Sequence, residues 1–229
     1  MSNTQTIQWR RISVEAAAIV ASILLAFAID AWWDGVQERA EERETLSALR
    51  AEFEANQKVL AQTAELHRLA LHAMQDIISA SKSDITVHDA SLGSLFRLAG
   101  ITPHYNPATG ALAATINSGR LGLVRNVELR NRIAGWDAVI SDLVIDEQTR
   151  RDFVTHELRP AFAEFGIAGS ESGTNHPDAD FSEALRSRQM MAHLRSQILR
   201  VAHLVTHFDD VEDATQAMIF DISQELLSL

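Results

Sequence analysis

With 229 residues, the chain is long enough for one membrane segment plus one domain with its own core. Acidic residues outnumber basic ones 31 to 20, for a net charge of −11, and no basic cluster with interleaved aromatics offsets this; nucleic acid and anionic lipid headgroups are thereby disfavoured as partners. The absence of cysteine excludes disulfides, thiol catalysis and cysteine-based metal sites.

Residues 12–33, ISVEAAAIVASILLAFAIDAWW, form one apolar stretch with an acid near each end. On a helix these twenty-two residues span roughly 33 Å, enough for a hydrocarbon core of about 30 Å. Trp9, Trp32 and Trp33 stand where interfacial aromatic anchors are expected. Arg10 and Arg11 precede the stretch, and Asp34, Glu38, Glu41 and Glu42 follow it. The positive-inside tendency then predicts a cytoplasmic tail (1–11), a transmembrane helix (12–33) and a soluble domain (34–229) in the periplasm of an inner membrane. A cleaved signal peptide is the main competitor, because Ala26-Phe27-Ala28 has the small-x-small pattern. Against it, Glu15 sits where the h-region would begin and apolar character resumes at Ile29, Trp32 and Trp33. A buried or interfacial helix is the third reading.

Glu15, Ala18, Ser22, Ala26 and Asp30 share one helical face. Small residues let a second helix approach closely, and ionisable groups near membrane depth are functional candidates. The face is expected to meet a second copy or another membrane protein. The plainer reading has both acids reaching the headgroups.

From Asp34 to about Ser79 there is no proline, and no glycine after Gly35. Leu46, Phe53, Leu60, His67 and Met74 recur every seven residues; Leu49, Asn56, Thr63, Ala70 and Ile77 sit three beyond them. This is a packing stripe of one long helix continuing the anchor, with a mainly apolar register and a mixed one. Asn56 is expected either to fix register, pairing with Ser118 or Arg130, or to face solvent.

A polar linker (81–89) and a short helix (90–98) follow. Asn106 and Pro107 predict a cap and a first-turn proline for a helix over 107–118. Gly119 and Gly122 mark a corner, and Asn126 caps a helix over 127–159, ended by Pro160. Trp136 is expected in the core. The loop-like stretch 166–180 precedes a last helix with Ser182 as candidate cap, running as far as Leu227. These lengths predict an all-α fold: a transmembrane helix continuous with a long helix, packed into an elongated antiparallel helical bundle with coiled-coil-like contacts.

An acid before the span, the span ending LLAFAIDAWW, and ETLSALRAEFEANQKVL after it resemble a group of small bacterial single-pass inner-membrane proteins without assigned function. The segment LAATINSGRLGLVRNVELRNRI is similar to that group's second recurring block. Leu46, Leu49, Phe53, Asn56, Leu60, Ser118, Gly119, Leu121, Asn126, Leu129 and Arg130 carry the likeness. It implies an N-terminal anchor and a helical domain, and brings no catalytic residues.

Chemistry is sparse. His203, His207 and Asp210 share a helical face and could hold a divalent metal if another helix added a ligand. Leu204 stands where a catalytic glutamate of HExxH would be. His67 and His72 are weaker, being five apart. The pairs Glu41/Glu42 and Asp209/Asp210 read as solvated faces. No catalytic, cofactor-binding or nucleotide motif is found, so no cofactor is expected. The predicted function is a non-catalytic membrane-anchored scaffold or accessory subunit that assembles or stabilises a cell-envelope complex, in contact with lipid and with a second copy or another membrane protein. The alternative is a sensory or ligand-binding periplasmic domain whose signal a separate partner would receive; a metal-binding protein or an enzyme has less support.

Overall fold

The computed structural model describes residues 9–82, 89–167 and 179–229. Most of the first tail, the 83–88 part of the linker and the 168–178 part of the loop-like stretch lie outside these residues. The fold is helical, with no strand among the described residues.

Helix α1 runs unbroken over Trp9–Ala80, about 108 Å at 1.5 Å per residue. It is long and apolar enough to cross a membrane near its N-terminus, where an 18-residue window has mean hydropathy 1.9 and none of it is buried by the rest of the chain. Ile19, Leu24, Phe27, Trp32 and Trp33 are all exposed. Burial begins at Glu42, and from there α1 is the spine of the domain. The remaining helices are α2 (Asp89–Ala99), α3 (Gly110–Asn117), α4 (Val127–Ala134), α5 (Trp136–Phe153), α6 (Arg159–Ala163), α7 (Phe181–Arg186) and α8 (Arg188–Ser228).

Both heptad registers of α1 are buried. The mixed register, with Asn56 and Thr63, is nearly as deep as the apolar one. Burial along both rows requires helices on two sides, and α8 and α2 make the largest contacts with α1. Leu46, Leu49 and Phe53 share a cluster with Met218 and Ile222. Leu60 and Ala64 join Leu204, Phe208 and Val211, and Met74 and Ile77 join Leu194 and Val201. Helix α1 thus packs against α8 through all three clusters. Trp136 is in the core as expected, its ring meeting Phe53 edge-on with centroids 5.0 Å apart.

Several boundaries differ from the sequence expectation. Helix α3 starts at Gly110 rather than Pro107, and its N-cap Thr109 makes no side-chain cap bond. Its free amides are met instead from α1: Glu52 accepts from Ala111 N at 2.6 Å and from Leu112 N at 3.0 Å. A capping carboxylate 59 residues distant in sequence leaves no local signal. At the corner, Gly119 has φ +75°, a region that strains residues bearing a Cβ. Asn126 caps α4 as expected, accepting from Leu129 N at 3.1 Å, but the helix is interrupted at Gly135.

Nor does Pro160 end the third long segment. Residues Val154–Leu158 form a π turn, with the Arg159 amide reaching Val154 O, and α6 follows. Proline lacks an amide proton and crowds the carbonyl four residues back; the widened turn accommodates both defects. The last helix is divided at Ser187, whose backbone is extended. Asp180, not Ser182, caps α7 through Glu183 N, while Ser187 caps α8 through Met190 N.

Candidate functional site

The densest polar arrangement in the described core centres on Glu147 of α5, which is 2% exposed. Its Oε1 lies 3.2 Å from His67 Nε2 on α1, and its Oε2 lies 3.0 Å from His104 Nδ1 in the α2–α3 loop. The amide of Tyr105 donates to both oxygens at 3.1 Å. One carboxylate therefore ties three parts of the chain together. Arg150, one turn along α5, is as deeply buried, and its Nε and one terminal nitrogen have no hydrogen-bond partner.

Burial sets the ionisation here. It holds His67 below the ordinary imidazole value of 6.5, outweighing the raising influence of its bond to Glu147. The ring is then neutral, with its proton on the Nε2 that faces the carboxylate. Its Nδ1 has no partner. Burial likewise lowers Arg150 to about 10, against the pull of Glu147. The Tyr105 phenol is pushed up to about 12, by burial first and by the Glu147 charge second. Both carboxylate oxygens are occupied by donors, so the arrangement is suited to holding the 104–105 loop on α1 rather than to proton transfer.

A second clamp lies one helical stretch nearer the N-terminus. Asn56, 7% exposed, donates to Ala108 O at 2.7 Å and accepts from Ala108 N at 2.8 Å. It fixes the loop, but its partner is this backbone and neither Ser118 nor Arg130. A cavity of about 20 Å³ beside Asn56 and Trp136 has room for one water molecule. A third tie is made by Glu42. The expected solvated face does not include it: Glu42 is fully buried, accepts from Arg125 N at 2.8 Å, and lies 3.7 Å from the Arg125 guanidinium.

His203 and His207 do face a carboxylate from another helix. It is Asp146 of α5, 2.9 Å from His207 Nδ1 and 3.8 Å from His203 Nε2. Asp210 is exposed, and no group of three His, Asp or Glu is arranged to hold a metal ion among the described residues. His72 is exposed and stands apart from His67. Asp209 is exposed and ion-paired with Arg68.

Glu15, Ala18, Ser22, Ala26 and Asp30 all lie exposed on α1, and the Ser22 hydroxyl donates to Ala18 O at 2.8 Å. Leu46, Leu49, Phe53 and Leu60 are buried in the spine. The Glu147 centre was missed. Its only sequence signal is His67 falling on the most apolar heptad row, where a polar residue needs a partner. Comparison with protein-family models, curated proteins and solved structures gives no match.

Proposed function

We propose that this chain is a non-catalytic, membrane-anchored scaffold or accessory subunit that assembles or stabilises a cell-envelope complex. The observation that carries this reading is α1 itself. One unbroken helix presents a bare apolar segment before Asp34 and serves as the packing spine of the domain after Glu42. A partner held at the membrane would thus be held at a set position relative to the domain.

In this reading residues 12–33 span the inner membrane, the tail before them is cytoplasmic, and the domain is an elongated antiparallel bundle in the periplasm. The likeness of its two sequence blocks to small single-pass membrane proteins supports the same anchor and helical domain. Glu147, Asn56, Glu52 and Glu42 support a rigid role, since each spends its polar capacity holding a loop or helix end to a neighbour.

The test is crosslinking in intact native membranes, followed by identification of attached proteins. The expected result is a reproducible membrane-protein partner or a second copy. Purification as a lone monomer in mild detergent, with no partner recovered from native membrane, overturns the reading. Protease protection of the domain in spheroplasts would reverse the orientation.

A further inference from the structure

We propose that the end of the domain made by the Arg125–Val127 corner and the last turn of α8 rests on the surface of the bilayer that holds α1, with Val127 and Leu227 seated among zwitterionic lipid headgroups. The inference rests on the membrane-anchored reading and adds a lipid surface to the contacts of the soluble domain.

Position comes from α1. Residues 12–33 match a hydrocarbon core of about 30 Å, and the headgroup layer outside it is about 5–7 Å thick on each side. Helix α1 is unbroken past this boundary, so Glu38 stands about 7.5 Å and Glu42 about 13.5 Å beyond Trp33. The corner is fastened at those two residues. The Arg125 guanidinium lies 3.6 Å from Glu38, and the Arg125 amide donates to Glu42 at 2.8 Å. The last turn of α8 is fastened to the corner in turn, with Asn126 Nδ2 donating to Glu225 Oε2 at 3.2 Å. This end of the domain therefore sits at the outer edge of the headgroups, with no stalk between them.

Burial points to the same surface independently. Leu227 is 81% exposed, the most of any large apolar side chain among the described residues, and Val127 is 56% exposed at the start of α4. The core beside them is closed by other residues, Leu129 and Ile222 with Leu226 and Leu229 packed against it. Val36 of α1 is 43% exposed, about 4.5 Å beyond Trp33 and within the headgroup layer. Three exposed apolar side chains from three helices thus gather at the membrane end of the domain. Each gains by leaving water, and the bilayer interface takes such side chains without a shaped groove.

Charge selects the headgroup. Glu38 and Arg125 are both about half exposed or more, and Arg39 and Arg43 alternate with acids along the same turns of α1. A zwitterionic headgroup offers phosphate to the cations and ammonium to the acids. An anionic surface would instead meet Asp34, Glu38 and Glu41 with like charge.

The chain contains no cysteine, so single reporters can be placed without background. A fluorophore is attached at Ser228→Cys, Leu199→Cys or Ala26→Cys of the full chain in phosphatidylcholine vesicles, which carry a nitroxide either on the headgroup or deep in the acyl chain. Leu199 is exposed like Leu227 but stands about 42 Å away along α8. The expected result is quenching at Ser228 by the headgroup nitroxide, none at Leu199, and quenching at Ala26 by the acyl nitroxide. Adding Val127→Asn and Leu227→Asn should reduce quenching at Ser228 to the Leu199 level, while Val127→Ile with Leu227→Met keeps it; circular dichroism of each variant confirms that helicity is retained. Quenching that survives the two asparagine substitutions overturns the proposal, because the tether alone then accounts for it. No quenching at Ser228 with Ala26 quenched overturns it while leaving the anchor reading standing. No quenching at Ala26 either overturns both. Stronger quenching at Ser228 on phosphatidylglycerol vesicles overturns the choice of headgroup.

Discussion

His67 on α1 and Glu147 on α5, eighty residues apart, meet at 3.2 Å in the interior with each side chain only 1% exposed. Neither residue belongs in an apolar core alone. Together with Tyr105 N and His104 they make a polar centre whose acceptor is fully used. Its charge balance is set by Arg150.

Removing Glu147 should be among the most damaging single changes in the domain. Glu147→Ala leaves the Arg150 guanidinium buried without its compensating charge and releases the Tyr105 amide and two imidazoles. The expected loss is about 3–5 kcal/mol, read from urea unfolding of the detergent-solubilised chain. A loss below about 1 kcal/mol would show that the centre relaxes freely and that its order is not structural.

His67 should make the fold acid-sensitive. Its folded-state value is lowered by burial, so the unfolded chain takes up a proton that the folded chain refuses. The contribution is fully present above the unfolded value near 6.5 and is lost as pH falls below it, at most about 1.4 kcal/mol per pH unit for one proton. The neighbours His104, Tyr105, Arg150 and Glu147 remain in a His67→Gln variant, which should therefore lose only this component. Equal slopes for the two proteins between pH 6.5 and 5 would contradict the assignment.

Tyr105 offers a single-site optical readout, because the chain contains one tyrosine. Its phenol is raised to about 12, so the neutral form is favoured by folding. Stability is retained below the unfolded value near 10 and lost as pH rises above it. Absorbance at 295 nm should show little tyrosinate at pH 10.5 in the folded chain and about three quarters in denaturant. Ionisation centred at 10 with helicity intact would contradict the buried position.

Asn56 should matter through Ala108. Asn56→Ala removes both loop bonds and leaves the Ala108 backbone unmatched against α1, at an expected cost of about 1–3 kcal/mol. Hydrogen exchange should show faster opening of residues 106–112, with the 190–205 part of α8 unchanged. Uniform loosening of both regions would mean that Asn56 acts through global stability alone.

The contrast between residues that were legible and those that were not follows from the range of their interactions. Trp136 and the Asn126 cap were readable because an apolar spacing and a three-residue capping bond are local patterns. Glu52, Glu42 and Glu147 were not, because a glutamate on a polar-looking helix carries no mark of the backbone amide it will meet 42 to 83 residues away. Pro160 misled for a related reason: a proline ends a helix only when the neighbouring turn cannot widen, and packing of Val154 and Leu158 in the core holds that wider turn in place.

The sequence by itself determined that the chain is helical, that one apolar segment near its N-terminus suits a bilayer, and that this segment continues as a long spine with two packing rows. Hydrophobic periodicity and the absence of helix breakers are properties of neighbouring residues, so they are written locally. Only the tertiary structure decided which polar side chains are buried and which loops they hold. Those outcomes depend on groups brought together from distant parts of the chain, where an unmatched charge or amide is costly and a matched one holds the elements in register.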